Sequence, residues 1–252
     1  MTKLNYYHNG CCNTKMGKFI KNKLPFIEPI LRPILNELRQ AKLRFATTEK
    51  IFTVIYNENK WGDKQSRSGP GSTLIQTKTI RNRLPELLEG YHIHSILDIP
   101  CGDFNWMKEI NLDSISYIGA DIVEKIIKFN NEEHSKENRK FVKIDILKDE
   151  LPQVDLIFCR DLFIHFSYRD IFTAIENIKK SRSKYLLATS NRLGTKNFDI
   201  LTGQWHPINL LIKPFSFPSP LKVVDEKSTR EVDKGNSLHL WKICDLNLKN
   251  HS

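Results

Sequence analysis

Cysteine is scarce in this 252-residue chain: five residues, at Cys11, Cys12, Cys101, Cys159 and Cys244, with no Cys-x-x-Cys spacing and no paired framework. That usage excludes a cysteine zinc site and a disulfide-stapled secreted domain, and it points to a reducing, cytoplasmic location. No window approaches eighteen continuous apolar residues, and the N-terminus lacks a charged start followed by an apolar core and a cleavage site. A stable membrane span and a secretory leader are therefore not expected. Asp-Asp pairs and His clusters of metal-ligand spacing are also missing, so no metal is assigned. The three-glycine GxGxxG turn that admits a pyrophosphate is absent as well, which argues against a dinucleotide site.

What is present is an ordinary soluble balance of 40% hydrophobic and 27% charged residues, in a chain long enough to bury a substantial core. The net charge is +10, and residues 1–60 hold eleven lysines and arginines against four glutamates. Such an asymmetry suggests an anionic partner for a basic N-terminal arm, while a solvated basic face with no partner is the plainer reading. Residues 1–23 show no period and read as a flexible arm. Over 26–55, Ile27, Ile30, Leu31, Ile34, Leu35 and Leu38 recur at helical steps. Pro29 and Pro33 predict a broken helix packed on the main domain, with a membrane-surface role for the same stripe as the alternative.

Residues 61–72 are rich in Gly, Ser and charge and read as a loop; residues 75–88 carry a helical pattern that stops at Gly90. Strands are predicted at 95–100, 117–122, 141–146, 156–160 and 185–190, with a helix at 168–180 before the last of them. Continuous apolar runs separated by helices mark an α/β fold with a parallel sheet covered on both faces. Residues 191–220 lose all period and are rich in Phe, Pro and Asn, with Trp205 among them, which predicts an ordered, substrate-facing insert. Two more strands follow at 221–225 and 237–245 as an antiparallel pair.

The first strand runs as Ile96-Leu97-Asp98-Ile99-Pro100-Cys101-Gly102-Asp103 toward Trp106. A strand entering a Gly turn lets backbone approach a ligand closely, and the next helix offers free N–H groups. The acidic turn suits a cofactor with cationic and polar groups, such as S-adenosylmethionine, better than a phosphate. Asp121 ends the second strand 23 positions after Asp98 and can accept from both hydroxyls of a ribose; capping the next helix is the competing role. Asp145 ends the third strand and can accept from an adenine amino group, with Ile146 beside the ring. His165, just beyond the fourth strand, has a pKa suited to a general base, against the alternative of a packed histidine between Phe163 and Phe166. Asp161 and Asp199 are the other candidate bases or orienting groups.

Three acids at consecutive strand ends and a Gly turn resemble the class I S-adenosylmethionine-dependent methyltransferases, over roughly residues 61–246. The resemblance implies a Rossmann-like seven-stranded sheet, mostly parallel with an antiparallel C-terminal strand, formed by 61–252 with the insert at 191–220. A narrower likeness, to an uncharacterised subgroup associated with glycan or small-molecule tailoring, lies in three blocks: Trp61-Gly62 through Ser72, Leu97 through Trp106, and Asn197-Phe198-Asp199 through Trp205-His206 to Asn209-Leu210. It implies S-adenosylmethionine bound by Trp61, Ser68, Gly69, Ser72, Asp98, Pro100, Cys101, Gly102, Asp103, Trp106, Asp121, Ile122, Asp145, Ile146 and Arg160. The acceptor, a polar small molecule or glycan, is expected at Asn197, Trp205, His206 and Asn209. Cys159-Arg160-Asp161-Leu162 is unlike the Pro-Pro-aromatic turn of amino-group enzymes, and no Lys-Asp-Lys-Glu set of the 2′-hydroxyl RNA enzymes can be assembled. An oxygen-directed methyltransferase is the leading expectation. A cofactor-binding regulatory protein without turnover, or an RNA enzyme using the basic arm, is the alternative.

Overall fold

The computed structural model describes residues 28–247; the predicted flexible arm, Cys11 and Cys12 lie outside them. Helix α1 (Glu28–Phe45) is followed by α2 (Thr48–Asn57). The break predicted at the prolines falls elsewhere, at Ala46 and Thr47. Pro29 occupies the first turn, where an N–H has no intrahelical partner to lose, and the helix runs through Pro33 at the loss of one bond. Thr47 then caps α2, its hydroxyl accepting from the Lys50 N–H at 3.3 Å. The 75–88 pattern gives α3 (Lys78–Gly90), so Gly90 is its last residue rather than a stop beyond it.

Seven strands form one sheet: β1 (Ser95–Asp98), β2 (Ser116–Asp121), β3 (Arg139–Lys143), β4 (Leu156–Cys159), β5 (Tyr185–Asn191), β6 (Lys222–Asp225) and β7 (Asn236–Lys242). Their order is β3-β2-β1-β4-β5-β7-β6, with β7 antiparallel to both of its neighbours and the remaining pairs parallel. Helices α4 (Glu124–His134) and α5 (Tyr168–Lys180) supply crossovers. Side-chain alternation sorts each strand between two layers. Along β4, Ile157 and Cys159 join the core that holds Ile51 and Phe52 of α2 and Ile171 and Ile175 of α5. Leu156 and Phe158 join Ile80, Leu84 and Leu88 of α3 on the opposite face.

Two strands end three residues short of the sequence pattern. β3 begins at Arg139 because its register with β2 runs from Tyr117↔Arg139 to Asp121↔Lys143. Ile144 still donates to the Asp121 carbonyl, but the Asp145 N–H goes to the Asp149 carboxylate and the chain leaves the sheet. Asp145 and Ile146 are therefore loop residues beyond the strand. Between β5 and β6, β7 stops at Lys242, and residues 243–245 form a single tight turn. Residues 192–220 contain neither helix nor strand. They are ordered by side-chain amides instead: Asn197 Nδ2 donates to the carbonyls of Asn209 (2.8 Å) and Lys213 (3.0 Å), and Asn209 Nδ2 to that of Gly194 (2.8 Å). A buried irregular segment has to satisfy its backbone this way.

Candidate functional site

A cleft opens at the C-terminal edge of β1, β2 and β4, walled by the 61–72 loop, α2 and parts of the 203–206 and 226–235 segments. Its floor is the turn after β1. Gly102 adopts φ +54°, and a Cβ there would lie 2.2 Å from Ser68 Oγ, so only glycine lets the 66–68 loop close on the turn. The Gly102 N–H donates to the Asp121 carboxylate at 3.3 Å, while Val123 N–H donates to its other oxygen at 2.9 Å. Each oxygen keeps a lone pair for a further donor. Asp145 lies beyond β3, accepting from the Leu147 N–H at 3.0 Å, between Ile144 and Ile146. Ile122, Val123 and Ile126 provide a second apolar wall.

Burial dominates the electrostatics of this floor. It raises the Asp98 carboxyl to about 8, only partly offset by the hydrogen bond from the Tyr117 hydroxyl, and Asp121 to about 6. Asp98 thus holds a proton at neutral pH. Because its native pKa exceeds the ordinary 3.8, the folded chain binds a proton that the unfolded chain has released over that interval. Stability must fall as pH rises from about 4 to about 8, with Asp121 adding to the slope in the same direction. Asp98→Asn is expected to make that fall shallower, by a contribution on the order of a few kcal/mol, read as melting temperatures at pH 5 and pH 8. An unchanged slope would place the buried proton elsewhere.

Above the floor, the chain leaving β4 turns tightly through Phe163–His165. The insert runs back along this turn, Gly203 N–H donating to the His165 carbonyl (2.8 Å) and His206 N–H to that of Ile164 (2.9 Å). Gly203, at φ +92°, permits the approach because a Cβ would strike Ile51 Cγ2 at 2.4 Å. The same pairing brings the Gln204 carbonyl to 2.8 Å from His165 Nδ1. A carbonyl can only accept, so Nδ1 carries the proton and Nε2 presents its lone pair. The His165 ring stacks on Trp61, centroids 5.2 Å apart. Burial lowers its pKa, so the imidazole is neutral at pH 7.

Beside it lies a buried ion group. Arg160 donates to Glu226 at 2.7 Å and to the Gly71 carbonyl at 3.1 Å, sits 3.2 Å from Asp161, and lies 5.6 Å above the Trp106 ring. Burial raises Glu226 to about 7 despite the guanidinium. Arg230 and Asp233, paired at 2.7 Å, also line the cleft. Among the described residues, no group of three or more His, Cys, Asp or Glu is placed to hold a metal ion.

No family model matches the chain, and no curated protein matches it in sequence. Solved structures do match its backbone. Human N-acetylserotonin methyltransferase, solved with S-adenosylmethionine, aligns over 90% of this chain and 69% of its own at 15% identity and a TM-score of 0.52. Magnesium protoporphyrin IX methyltransferase from Synechocystis, also solved with that cofactor, gives 78%, 97%, 13% and 0.53 in the same order. An N-methyltransferase from Bradyrhizobium japonicum gives 66%, 96%, 14% and 0.51. The fold is that of these methyltransferases.

Within that fold, the cleft gathers Trp61, Ser68, Gly69, Ser72, Asp98, Pro100, Cys101, Gly102, Trp106, Asp121, Ile122, Asp145, Ile146, Arg160, Asp161, His165 and Trp205. Five expected residues do not line it. Asp103 is committed to the 66–68 loop, its carboxylate accepting from Ser66 Oγ (2.9 Å), Arg67 N–H (2.8 Å) and Ser68 Oγ (3.2 Å). Asn197 and Asn209 are consumed by the insert's own backbone. His206 is buried with its ring nitrogens on the carbonyls of Phe198 (2.6 Å) and Phe163 (3.3 Å).

Asp199, the fifth, accepts from the N–H groups of Tyr168 (2.7 Å) and Ile200 (2.8 Å) and so completes the cap of α5. Asp199→Ala is accordingly expected to cost about 1 kcal/mol of stability, measured by urea denaturation, and to leave turnover intact. A collapse of turnover at unchanged stability would restore it as a catalytic candidate. Conversely, Phe52 and Tyr56 of α2, Arg230 and Asp233 escaped sequence reading. The segment from Glu226 to Lys234 reads as a polar surface turn, and only its density of charge hints at more.

Proposed function

We propose that this protein is an S-adenosylmethionine-dependent methyltransferase acting on a hydroxyl of a sugar, glycan or other polar small molecule. The observation that carries the reading is His165: a neutral imidazole with Nδ1 committed to a carbonyl and Nε2 bearing the lone pair, on the same cleft as Asp121 at the end of β2 and Asp145 just beyond β3. The residues present fit the cofactor by their chemistry. Asp121 can accept from ribose hydroxyls and Asp145 from the adenine amino group, with Ile122, Ile126, Ile144 and Ile146 supplying apolar walls for a planar base. Gly69 and Ser72 are left for the methionine end, while Ser68 and Arg160, tied to Asp103 and Glu226, shape the wall beside them.

When bound, the cofactor supplies an electrophilic methyl group. The chain's own work is to orient the acceptor and to take its proton. His165 Nε2 accepts the hydroxyl proton, the Gln204 carbonyl holds the ring through Nδ1–H and favours the imidazolium that forms, and Trp61 keeps the ring plane fixed. Asp161, Arg230 and Asp233 offer polar contacts to an acceptor beside it, and Trp205 offers an aromatic face. The neighbours' printed names span different acceptors, so their fold does not choose one.

Calorimetry with S-adenosylmethionine and S-adenosylhomocysteine, followed by labelled-methyl transfer to panels of sugars, amines and RNA, tests the reading. Binding plus transfer to hydroxyl acceptors is expected. Transfer confined to amines or RNA would replace the acceptor class, and binding without any turnover would favour a regulatory protein.

A further inference from the structure

Helix α1 presents its apolar stripe away from the domain it belongs to. Its contact with the core is made by Leu43 and by Ala46 just beyond its end, with Leu43 Cδ2 only 3.3 Å from where a Cβ on Gly203 would stand. Ile34, Leu38 and Phe45 are instead 50%, 56% and 90% exposed. At 3.6 residues per turn these three fall within about 40° of one another, and Leu43 lies about 160° from Phe45 on the other side of the helix. Lys42 stands beside the stripe, and Arg44 follows on its other side. A helix that served only its own domain would bury that stripe.

We propose that α1 docks the protein on an anionic lipid bilayer, its apolar stripe entering the headgroup boundary and its basic residues meeting lipid phosphate and carboxylate. Charge decides the occupant. Residues 1–45 hold nine lysines and arginines against two glutamates, the pairing of apolar face and basic surplus that binds anionic interfaces. The stripe lies on the surface rather than crossing it, since no described helix is long and apolar enough to span a membrane. Three side chains on one helix face fall short of the roughly 800 Å² per partner that a stable dimer needs. An apolar stripe likewise offers nothing to a nucleic-acid backbone, whose affinity comes from phosphate neutralisation. Thr48 starts α2 three residues after Phe45, and Thr48, Phe52 and Tyr56 of that helix line the cleft. Docking through α1 therefore holds the cleft near the lipid surface.

Vesicle co-sedimentation of the full chain tests this, using phosphatidylcholine vesicles with and without phosphatidylserine. Binding to the anionic vesicles should exceed binding to the neutral ones by about tenfold or more and weaken with salt. The triple change Ile34→Ser, Leu38→Ser and Phe45→Ser should lower it by about tenfold or more at an unchanged melting temperature, and Lys42→Glu with Arg44→Glu should lower it independently. Equal binding to both vesicle types, or anionic binding that survives the triple change, overturns the proposal. So does a concentration-dependent dimer that the triple change abolishes when no vesicle binding is seen, which would assign the stripe to a second copy.

Discussion

Replacing His165 with alanine should lower methyl transfer to a hydroxyl acceptor by about 10²- to 10⁴-fold, the usual worth of a positioned general base. Affinity for S-adenosylhomocysteine should be nearly unchanged, because the ring's contacts are to Gln204 and Trp61 rather than to the acidic strand ends. The pH profile provides an independent check. Burial holds the imidazole below its ordinary pKa, so the base is already deprotonated at neutral pH. The wild-type rate should rise with pH only in the acid range and be flat through pH 7, and the variant should lose that acid limb. Full turnover in the alanine variant would transfer the role to Asp161, which shares the cleft. His165→Gln, which keeps hydrogen-bonding capacity toward Gln204 without a titratable base, should resemble alanine in rate while retaining stability.

Arg160→Met is the change expected to cost the most stability, about 3–5 kcal/mol, because it strands Glu226 in the interior. Arg160 and Glu226 side chains are 6% and 4% exposed, and the guanidinium also ties the Gly71 carbonyl of the 69–72 loop to the end of β4. With the arginine in place, burial already holds the Glu226 carboxyl at about 7. Without it that carboxyl rises further and keeps its proton to higher pH. The sign follows: protonation relieves the unpaired charge, so the loss should be larger at pH 8 than at pH 6. Urea denaturation at both values measures it, and Arg160→Met combined with Glu226→Gln should recover much of the loss. A penalty under about 1 kcal/mol at pH 8 would mean that water, not Arg160, satisfies Glu226.

Both predictions rest on contacts that join segments distant in sequence, and the same division governs what could be read early. The strands were legible because Ser95 to Asp98 and Leu156 to Cys159 are nearly unbroken apolar runs, as a sheet covered on both faces requires. The reversal at β7 was legible from the change of pattern after residue 220. The break between α1 and α2 does not fall at the prolines, because Pro29 stands in a first turn that loses no bond and the helix continues around Pro33. Asp121 and Asp145 lie at the cleft because position relative to a strand end is a local property. Asp103 and Asp199 carry the same carboxylate and yet serve loop and helix backbone, a difference made by what folds against them.

The insert shows the boundary most sharply. Its Asn, Trp and His content indicated a polar, aromatic, ordered segment, and of the four residues singled out only Trp205 reaches the cleft. Asn197, Asn209 and His206 spend their polar atoms on buried carbonyls, since a segment with neither helix nor strand cannot satisfy its backbone locally. The sequence alone determined the α/β class, the strand succession and the acidic strand ends, because periodicity, burial pattern and turn chemistry act over a few residues. Only the tertiary structure decided which nitrogen of His165 a backbone carbonyl takes, that Arg230 and Asp233 join the cleft, and that α1 turns its apolar stripe outward. Each of those depends on pairing between segments tens of residues apart, where a residue's own neighbours carry no record of the partner.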